Sequence, residues 1–98
     1  MRARDQSTDE QNNAAGGAER RQLDIGDGKV VNASIAVRLF KQGHQLYGYL
    51  QFKHDYKTVT RYVGQVSAKT KAESLAIGWR MVREKKIAEA NGWKWAVR

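Results

Sequence analysis

Side chains that could act in catalysis or hold a metal are few and scattered in this 98-residue chain. The two histidines, His44 and His54, fall in predicted turns, and there is no cysteine to complete a zinc site. Asp24 and Asp27 form a carboxylate pair, but they lie in a segment too flexible to hold catalytic geometry. Ser67 lacks a plausible base partner. We therefore expect no catalysis, no cofactor and no bound metal.

The distribution of charge points to a polyanionic partner instead. Residues 1–29 hold five basic and six acidic groups, whereas residues 30–98 hold thirteen basic and four acidic groups. The formal net charge of +8 therefore comes from the second of these segments. A basic excess of this density on a small domain favours a polyanion as partner, although a generally basic, soluble surface would also account for it.

Side chains suited to nucleic-acid contact alternate with apolar ones in LYGYLQFK, residues 46–53. In a strand, successive side chains point to opposite faces. One face of this strand is therefore apolar, and the other carries Tyr47, Tyr49, Gln51 and Lys53. Aromatic rings stack on bases, cations pair with phosphates and an amide reads base edges.

The strands on either side are expected to extend this polar face. Arg38 should point the same way as the tyrosines, together with Arg61 or, in the other register, with Thr60 and Tyr62. A bulge near Gly64 would decide between the two registers. Cross-strand tyrosines also stabilise an open sheet that binds nothing, so the pattern alone leaves both interpretations open.

The stretch SAKTKAES, residues 67–74, joins the last of these strands to a predicted helix. Thr70 and Glu73 fit the capping box that begins a helix. Lys69 and Lys71 are not required by that cap, and they lie beside helix-start amides that favour an anion. We therefore expect these two lysines to contact phosphate.

The elements that position these side chains follow from periodicity. Residues 30–40, 46–53 and 58–66 are predicted as three strands joined by tight turns at KQGHQ and HDYK. A helix is predicted over about residues 70–90, in which Gly78 permits a close approach to the sheet. WKWAVR could add a final strand or an apolar clasp. The expected fold class is α+β, a three-stranded antiparallel sheet packed on one C-terminal helix.

The chain is predicted to divide into a disordered N-terminal tail, residues 1–29, and a folded domain, residues 30–98. The tail is polar and lacks the apolar periodicity needed to offset conformational entropy. With no apolar leader or membrane-spanning run, a cytoplasmic location is expected, nucleoid-associated if the protein binds DNA. The expected centre of the core is Leu50, Phe52, Val37, Leu39, Leu75 and Trp79.

The stretch GYLQFKHDYKTVTRYVGQVSAKTKAESLA, residues 48–76, resembles the N-terminal domain by which phage tyrosine integrases bind arm-type DNA sites, and the resemblance covers about residues 34–88. It more distantly resembles the DNA-binding domain of plant ethylene-response factors. The resemblance implies three strands on one helix, with the exposed sheet face entering the major groove. The sequence stops before any catalytic domain, so recombinase activity is not expected. The contact residues so implied are Arg38, Tyr47, Tyr49, Gln51, Lys53 and Arg61.

Two other functions stay open. GQVSAKTKAESLA is similar to the end of double-stranded-RNA-binding domains, whose helix-start lysines clamp phosphates. That fold has a helix before its three strands, and residues 1–29 show no helical apolar stripe. Alternatively, Trp93, Trp95 and an uncovered strand edge could form a protein-interaction or inhibitor surface. The preferred hypothesis is a small non-catalytic protein that binds double-stranded DNA, an accessory or regulatory factor of phage or mobile-element origin.

Overall fold

The computed structural model describes residues 2–26, 28–39 and 45–96. A short 3-10 helix at Ala18–Arg21 follows the first α-helix. In chain order the helices and strands are α1 (Arg2–Ala15), β1 (Gln22–Gly26), β2 (Lys29–Asn32), β3 (Ser34–Leu39), β4 (Leu46–His54), β5 (Lys57–Gln65), α2 (Lys71–Glu84), α3 (Ile87–Ala90) and β6 (Lys94–Trp95).

The predicted three-stranded meander is present as the sheet β3-β4-β5, with antiparallel neighbours throughout. The HDYK turn is a two-residue hairpin, because His54 pairs with Lys57 across it. The other predicted turn, KQGHQ, lies outside the described residues except for its last residue. The α+β class, with this sheet packed on the C-terminal helix α2, is confirmed.

The segment predicted as one strand, residues 30–40, is divided at Ala33 between two sheets. The amide of Ala33 donates to the carbonyl of Arg21 at 2.9 Å, and its carbonyl accepts from Arg21 Nε at 2.9 Å. Both backbone polar groups of Ala33 are therefore bonded to Arg21 at the point where the chain passes from one sheet to the other. Before it, β2 pairs with β1, and after it, β3 pairs with β4.

Helix α2 begins as predicted and ends earlier than predicted. The Thr70 hydroxyl accepts a hydrogen bond from the Glu73 amide at 3.1 Å, which satisfies one of the free amides of the first turn. Lys86 adopts a left-handed conformation with φ of 54°, so the expected helix over 70–90 is broken into α2 and α3. The chain changes direction at Lys86, and Ala88 of α3 is completely buried.

The core lies between the β3-β4-β5 sheet and α2. Leu50, Phe52, Leu75 and Trp79 are buried there as predicted. Gly78 permits the close approach expected of it, because a Cβ at this position would lie 2.7 Å from Ile35 Cγ2. Helix α2 therefore crosses the sheet with its backbone against β3.

Leu39 is an error in the predicted core. It is 63 % exposed, because it lies at the end of β3 away from Ile35, the residue on which α2 packs. Val37, between the two, is half-buried against the core. The expected centre of the core did not include five further side chains that are fully buried, those of Leu23, Ile35, Val63, Val66 and Val82.

The prediction of a disordered tail over residues 1–29 is wrong for residues 8–26. Ala15 and Leu23 belong to the same buried cluster as the residues of α2 and β4. Leu23 pairs with Val31 on one side and with Trp95 on the other, so β1 is the central strand of a second sheet, β2-β1-β6. Of the two alternatives considered for WKWAVR, the final strand is observed, as β6 of this sheet.

Polar side chains hold α1 in place. The Gln11 amide donates to the carbonyl of Ile35 at 2.8 Å and accepts from its amide at 3.0 Å, so it pairs with the edge of β3 as another strand would. The same oxygen accepts from Trp79 Nε1 at 3.1 Å. Arg21 adds bonds to Asn12 and Ser34. Hydrogen bonds of polar side chains on α1 thus do much of the work that an apolar stripe does in most helices, so the sequence of α1 shows no such stripe.

Candidate nucleic-acid interface

The β3-β4-β5 sheet has one face against α2 and an opposite face, which we call the outer face. On β4, Gly48, Leu50 and Phe52 are buried toward the helix. The predicted polar side of β4 therefore lies on the outer face. By strand register, the outer face consists of Ser34, Ala36, Arg38, Tyr47, Tyr49, Gln51, Lys53, Thr58, Thr60, Tyr62 and Gln65.

The open question of the β5 register is decided by a bulge at the predicted place. Gly48 pairs with Gly64, whereas Tyr49 pairs with Tyr62, so Val63 is the extra residue of β5. Val63 itself turns inward and is buried. Of the two registers considered, the one with Thr60 and Tyr62 on the outer face is the observed one.

Arg61 is therefore on the wrong face for the contact role predicted for it. Its Nε donates to Asn91 Oδ1 at 2.8 Å, and its guanidinium lies 5.4 Å from the centre of the Trp93 ring. A second nitrogen donates to the carbonyl of Thr60. The bulge at Val63 reverses the alternation upstream of Gly64, which places Arg61 on the helix side.

Tyr62 of β5 contacts both Tyr47 and Tyr49 of β4 on the outer face. The rings of Tyr49 and Tyr62 meet edge to face, with centres 5.5 Å apart, and those of Tyr47 and Tyr62 are 6.2 Å apart. The Arg38 guanidinium lies 5.3 Å from the centre of the Tyr49 ring. Tyr62 is 55 % exposed, and Tyr47 and Tyr49 are half-buried, so the cluster presents part of its aromatic surface to solvent.

Polar side chains surround this cluster, and none of the outer-face residues is acidic. Arg38 and Lys53 are exposed and lie near opposite ends of the face. Gln51 and Thr60 form a cross-strand pair between them. Among the described residues of the outer face, hydrogen-bond donors, two cations and contacting aromatic rings thus share one surface, and none of these residues carries a carboxylate that would repel a phosphate.

The stretch 67–74 is electrostatically different from the outer face. Lys71 Nζ lies 3.1 Å from Glu10 Oε1 of α1, so a carboxylate partly neutralises this predicted phosphate contact. Lys69 is exposed beside Glu73 and Arg80 in an open groove along α2. Ser67 connects this stretch to the sheet, because its hydroxyl accepts from the Leu46 amide and from Gln65 Nε2.

The two C-terminal tryptophans proposed as an interface both pack on the protein's own core. The Trp93 ring meets Phe52 edge to face at 5.0 Å, and the Trp95 ring lies 5.7 Å from Trp79. The Arg83 guanidinium covers Trp95 at 4.6 Å. Burial lowers the pKa of Arg83, an effect increased by Arg20 and opposed by Glu89.

The remaining titratable side chains singled out in the sequence occupy turns. His54 Nε2 lies 3.2 Å from Asp55 Oδ2, and Asp24 accepts from the Gly26 amide at 2.9 Å. His44 and Asp27 lie outside the described residues. Within residues 2–26, 28–39 and 45–96, no group of three metal-ligating side chains is assembled.

Sequence reasoning left Tyr62 out of the final contact set and did not consider Tyr56. The signal for Tyr62 was that Val59, Arg61 and Val63 share one face by alternation. If the two valines face the core, Arg61 lies on the helix side and Tyr62 lies on the outer face. Tyr56 stands at the tip of the β4-β5 hairpin and is fully exposed. Its signal was a bulky residue at a turn position that ordinarily takes glycine.

Comparison with known proteins finds no relative of this chain. No family model matches the chain, and neither a curated protein nor a solved structure gives a significant match. In the part of the chain that the structure describes, no helix is long and apolar enough to span a membrane.

Proposed function

We propose that this protein is a non-catalytic DNA-binding protein that holds duplex DNA against the outer face. The observation that carries the proposal is the cluster of Tyr47, Tyr49 and Tyr62, with Arg38 against it, on a face whose described residues include no carboxylate. Structural support of the sheet alone would account for the ring contacts. Structural support would not account for the exposure of Tyr62 beside cations, on a face whose described residues include no acid.

Each group on the outer face has a distinct role in this proposal. Arg38 and Lys53 neutralise phosphates, and their separation along the sheet sets the direction of the backbone across it. Gln51 is the group suited to base readout, because an amide can both donate to and accept from an adenine edge. The tyrosines supply rigid contact surface, and the hydroxyls of Tyr49 and Tyr62 can bind phosphate or sugar oxygens.

An amide-shift titration with a mixed-sequence DNA duplex tests the proposal. We expect shifts at residues 47–53 and 58–65 and none at residues 93–95. If Arg38, Lys53 and Lys69 each neutralise one phosphate, the logarithm of the association constant should fall against log salt with a slope of about −3. A flat salt response, or no duplex binding at low ionic strength, would refute DNA binding.

Duplex RNA is a second candidate, and one observation favours it. The RNA-binding interpretation lacked a helix before the three strands, and α1 packs directly against α2. Its phosphate contacts would be Lys69 and Lys71 at the start of α2. The pairing of Lys71 with Glu10 weighs against it. Competition between RNA and DNA duplexes of equal length distinguishes the two, since preference for RNA would move the site to α1 and the start of α2.

A further inference from the structure

The tip of the β4-β5 hairpin carries an unusual residue for its backbone conformation. Asp55 and Tyr56 both have positive φ, 51° and 64°, which is the type I′ geometry of a two-residue hairpin. Asp-Gly is among the sequences that this turn prefers, because glycine adopts positive φ without steric cost. The first position therefore has a favoured residue, and the second has a bulky aromatic that is strained there.

Nothing in the described residues offsets this strain by packing. The relative exposure of Tyr56 is 105 %, so its whole ring stands in solvent beyond the end of the sheet. The other three tyrosines contact one another on the outer face. A residue that is costly for the backbone and useless to the core is a candidate for binding.

The surroundings of the tip are cationic. Lys53 and Lys57 flank the turn on its two strands, and both are exposed. Lys29 of β2 lies 3.8 Å from Asp55, so the one carboxylate of the turn is shared with a lysine and with His54. Because Lys53 also belongs to the outer face, the tip continues the surface proposed to hold DNA.

We infer that Tyr56 stacks on an unpaired or unstacked base of the bound DNA, with Lys53 and Lys57 holding the phosphates on either side of it. This inference rests on the proposed function. A single exposed ring between two cations matches the elements of single-strand recognition, in which a base stacks on an aromatic side chain and lysines follow the backbone. The protein would then prefer duplexes that contain a bulge, gap or frayed end to fully paired ones.

The experiment compares the wild-type protein with Tyr56→Gly and Tyr56→Phe. Binding is measured to a paired duplex and to the same duplex with one bulged 2-aminopurine, whose fluorescence falls when it stacks. For the bulged duplex, Tyr56→Gly should weaken binding by about tenfold or more and abolish the quenching, whereas Tyr56→Phe, which retains the ring, should stay within about twofold of wild type.

The glycine variant also contains its own folding control. Because glycine relieves the left-handed strain, Tyr56→Gly should raise the urea midpoint of unfolding, so lost binding could not be attributed to unfolding. Leu39→Thr is the matched control, since it alters another exposed apolar side chain at the opposite end of the sheet. It should change neither affinity nor quenching.

The outcomes separate the inference from the function on which it rests. If Tyr56→Gly binds the bulged duplex as tightly as wild type, the stacking role is refuted and the DNA-binding proposal stands. If the wild-type protein binds neither duplex, both are refuted. Equal loss with Leu39→Thr would also overturn the inference, because the effect would not depend on the tip.

Discussion

Arg38 and Arg61 belong to the same sheet and have nearly the same aromatic contact, yet their environments differ. Arg38 lies 5.3 Å from the ring centre of Tyr49, and Arg61 lies 5.4 Å from that of Trp93. Arg61 donates hydrogen bonds to Asn91 and to a backbone carbonyl. Arg38 donates none within the described residues, so its donors are available to a ligand.

The comparison shows that an arginine stacked on an aromatic ring does not by itself indicate a binding site. On the α2 side of the sheet, the pair of Arg61 and Trp93 packs against the core beside α3. On the outer face, the pair of Arg38 and Tyr49 leaves the guanidinium donors exposed, on a surface whose described residues include no carboxylate. The number of donors already satisfied within the protein separates the structural arginine from the proposed contact residue.

Neighbouring residues of β4 provide the strongest test of this division of the two faces. Leu50→Ala removes a buried side chain and should lower the free energy of unfolding by about 2–5 kcal/mol. Gln51→Ala, one residue further along and on the outer face, should change it by less than about 1 kcal/mol. Urea denaturation measures both, and equal losses would contradict the assignment of the faces.

The next largest effect should come from the outer-face cations. The double variant Arg38→Ala with Lys53→Ala should reduce DNA affinity by about tenfold or more and lower the salt slope by about 2, because two phosphate contacts are removed. Fluorescence anisotropy over a range of salt concentrations measures both quantities. An unchanged slope would show that these side chains do not neutralise phosphates.

Arg61→Ala should show the opposite profile. Losing its exposed hydrogen bonds and its contact with Trp93 should lower the free energy of unfolding by about 1 kcal/mol or less. DNA affinity and the salt slope should remain those of wild type when the variant is folded. A drop in slope similar to that of Arg38→Ala would restore the contact role that the structure takes from Arg61.

The smallest effect is expected at the start of α2. Glu10→Gln removes the carboxylate that pairs with Lys71, so it should increase DNA affinity by about twofold or less if Lys71 lies near a phosphate. Asn13→Gln, an exposed change on the same helix, is the control. If Glu10→Gln weakens binding, α1 itself contributes to the interface rather than shielding it.

Much of the sheet and of the C-terminal helix could be predicted, because their patterns are local. Strict alternation in LYGYLQFK assigns Leu50 and Phe52 to one face and Tyr49 and Gln51 to the other. Thr70 and Glu73 mark the helix start within four residues. These features depend on backbone periodicity and on side chains that bond to their own turn, so little tertiary information is needed.

The N-terminal region could not be predicted by the same reasoning. Its polar composition lowers the expected gain from burial, and so favours a disordered assignment. Gln11 and Arg21 nevertheless bind partners at Ile35 and Ala33, more than ten residues along the chain in each case. Such bonds leave no periodic signal, because any exposed strand edge could in principle receive them.

By itself, the sequence determined that the domain is basic, that a three-stranded meander leads into a capped helix and that β4 has a tyrosine-rich side. Only the tertiary structure decided which neighbours complete that side. The bulge at Val63 turns Arg61 inward and Tyr62 outward, and its placement depends on pairing between strands. Alternation is a property of one strand, whereas register is a property of two, and the candidate interface is built from three.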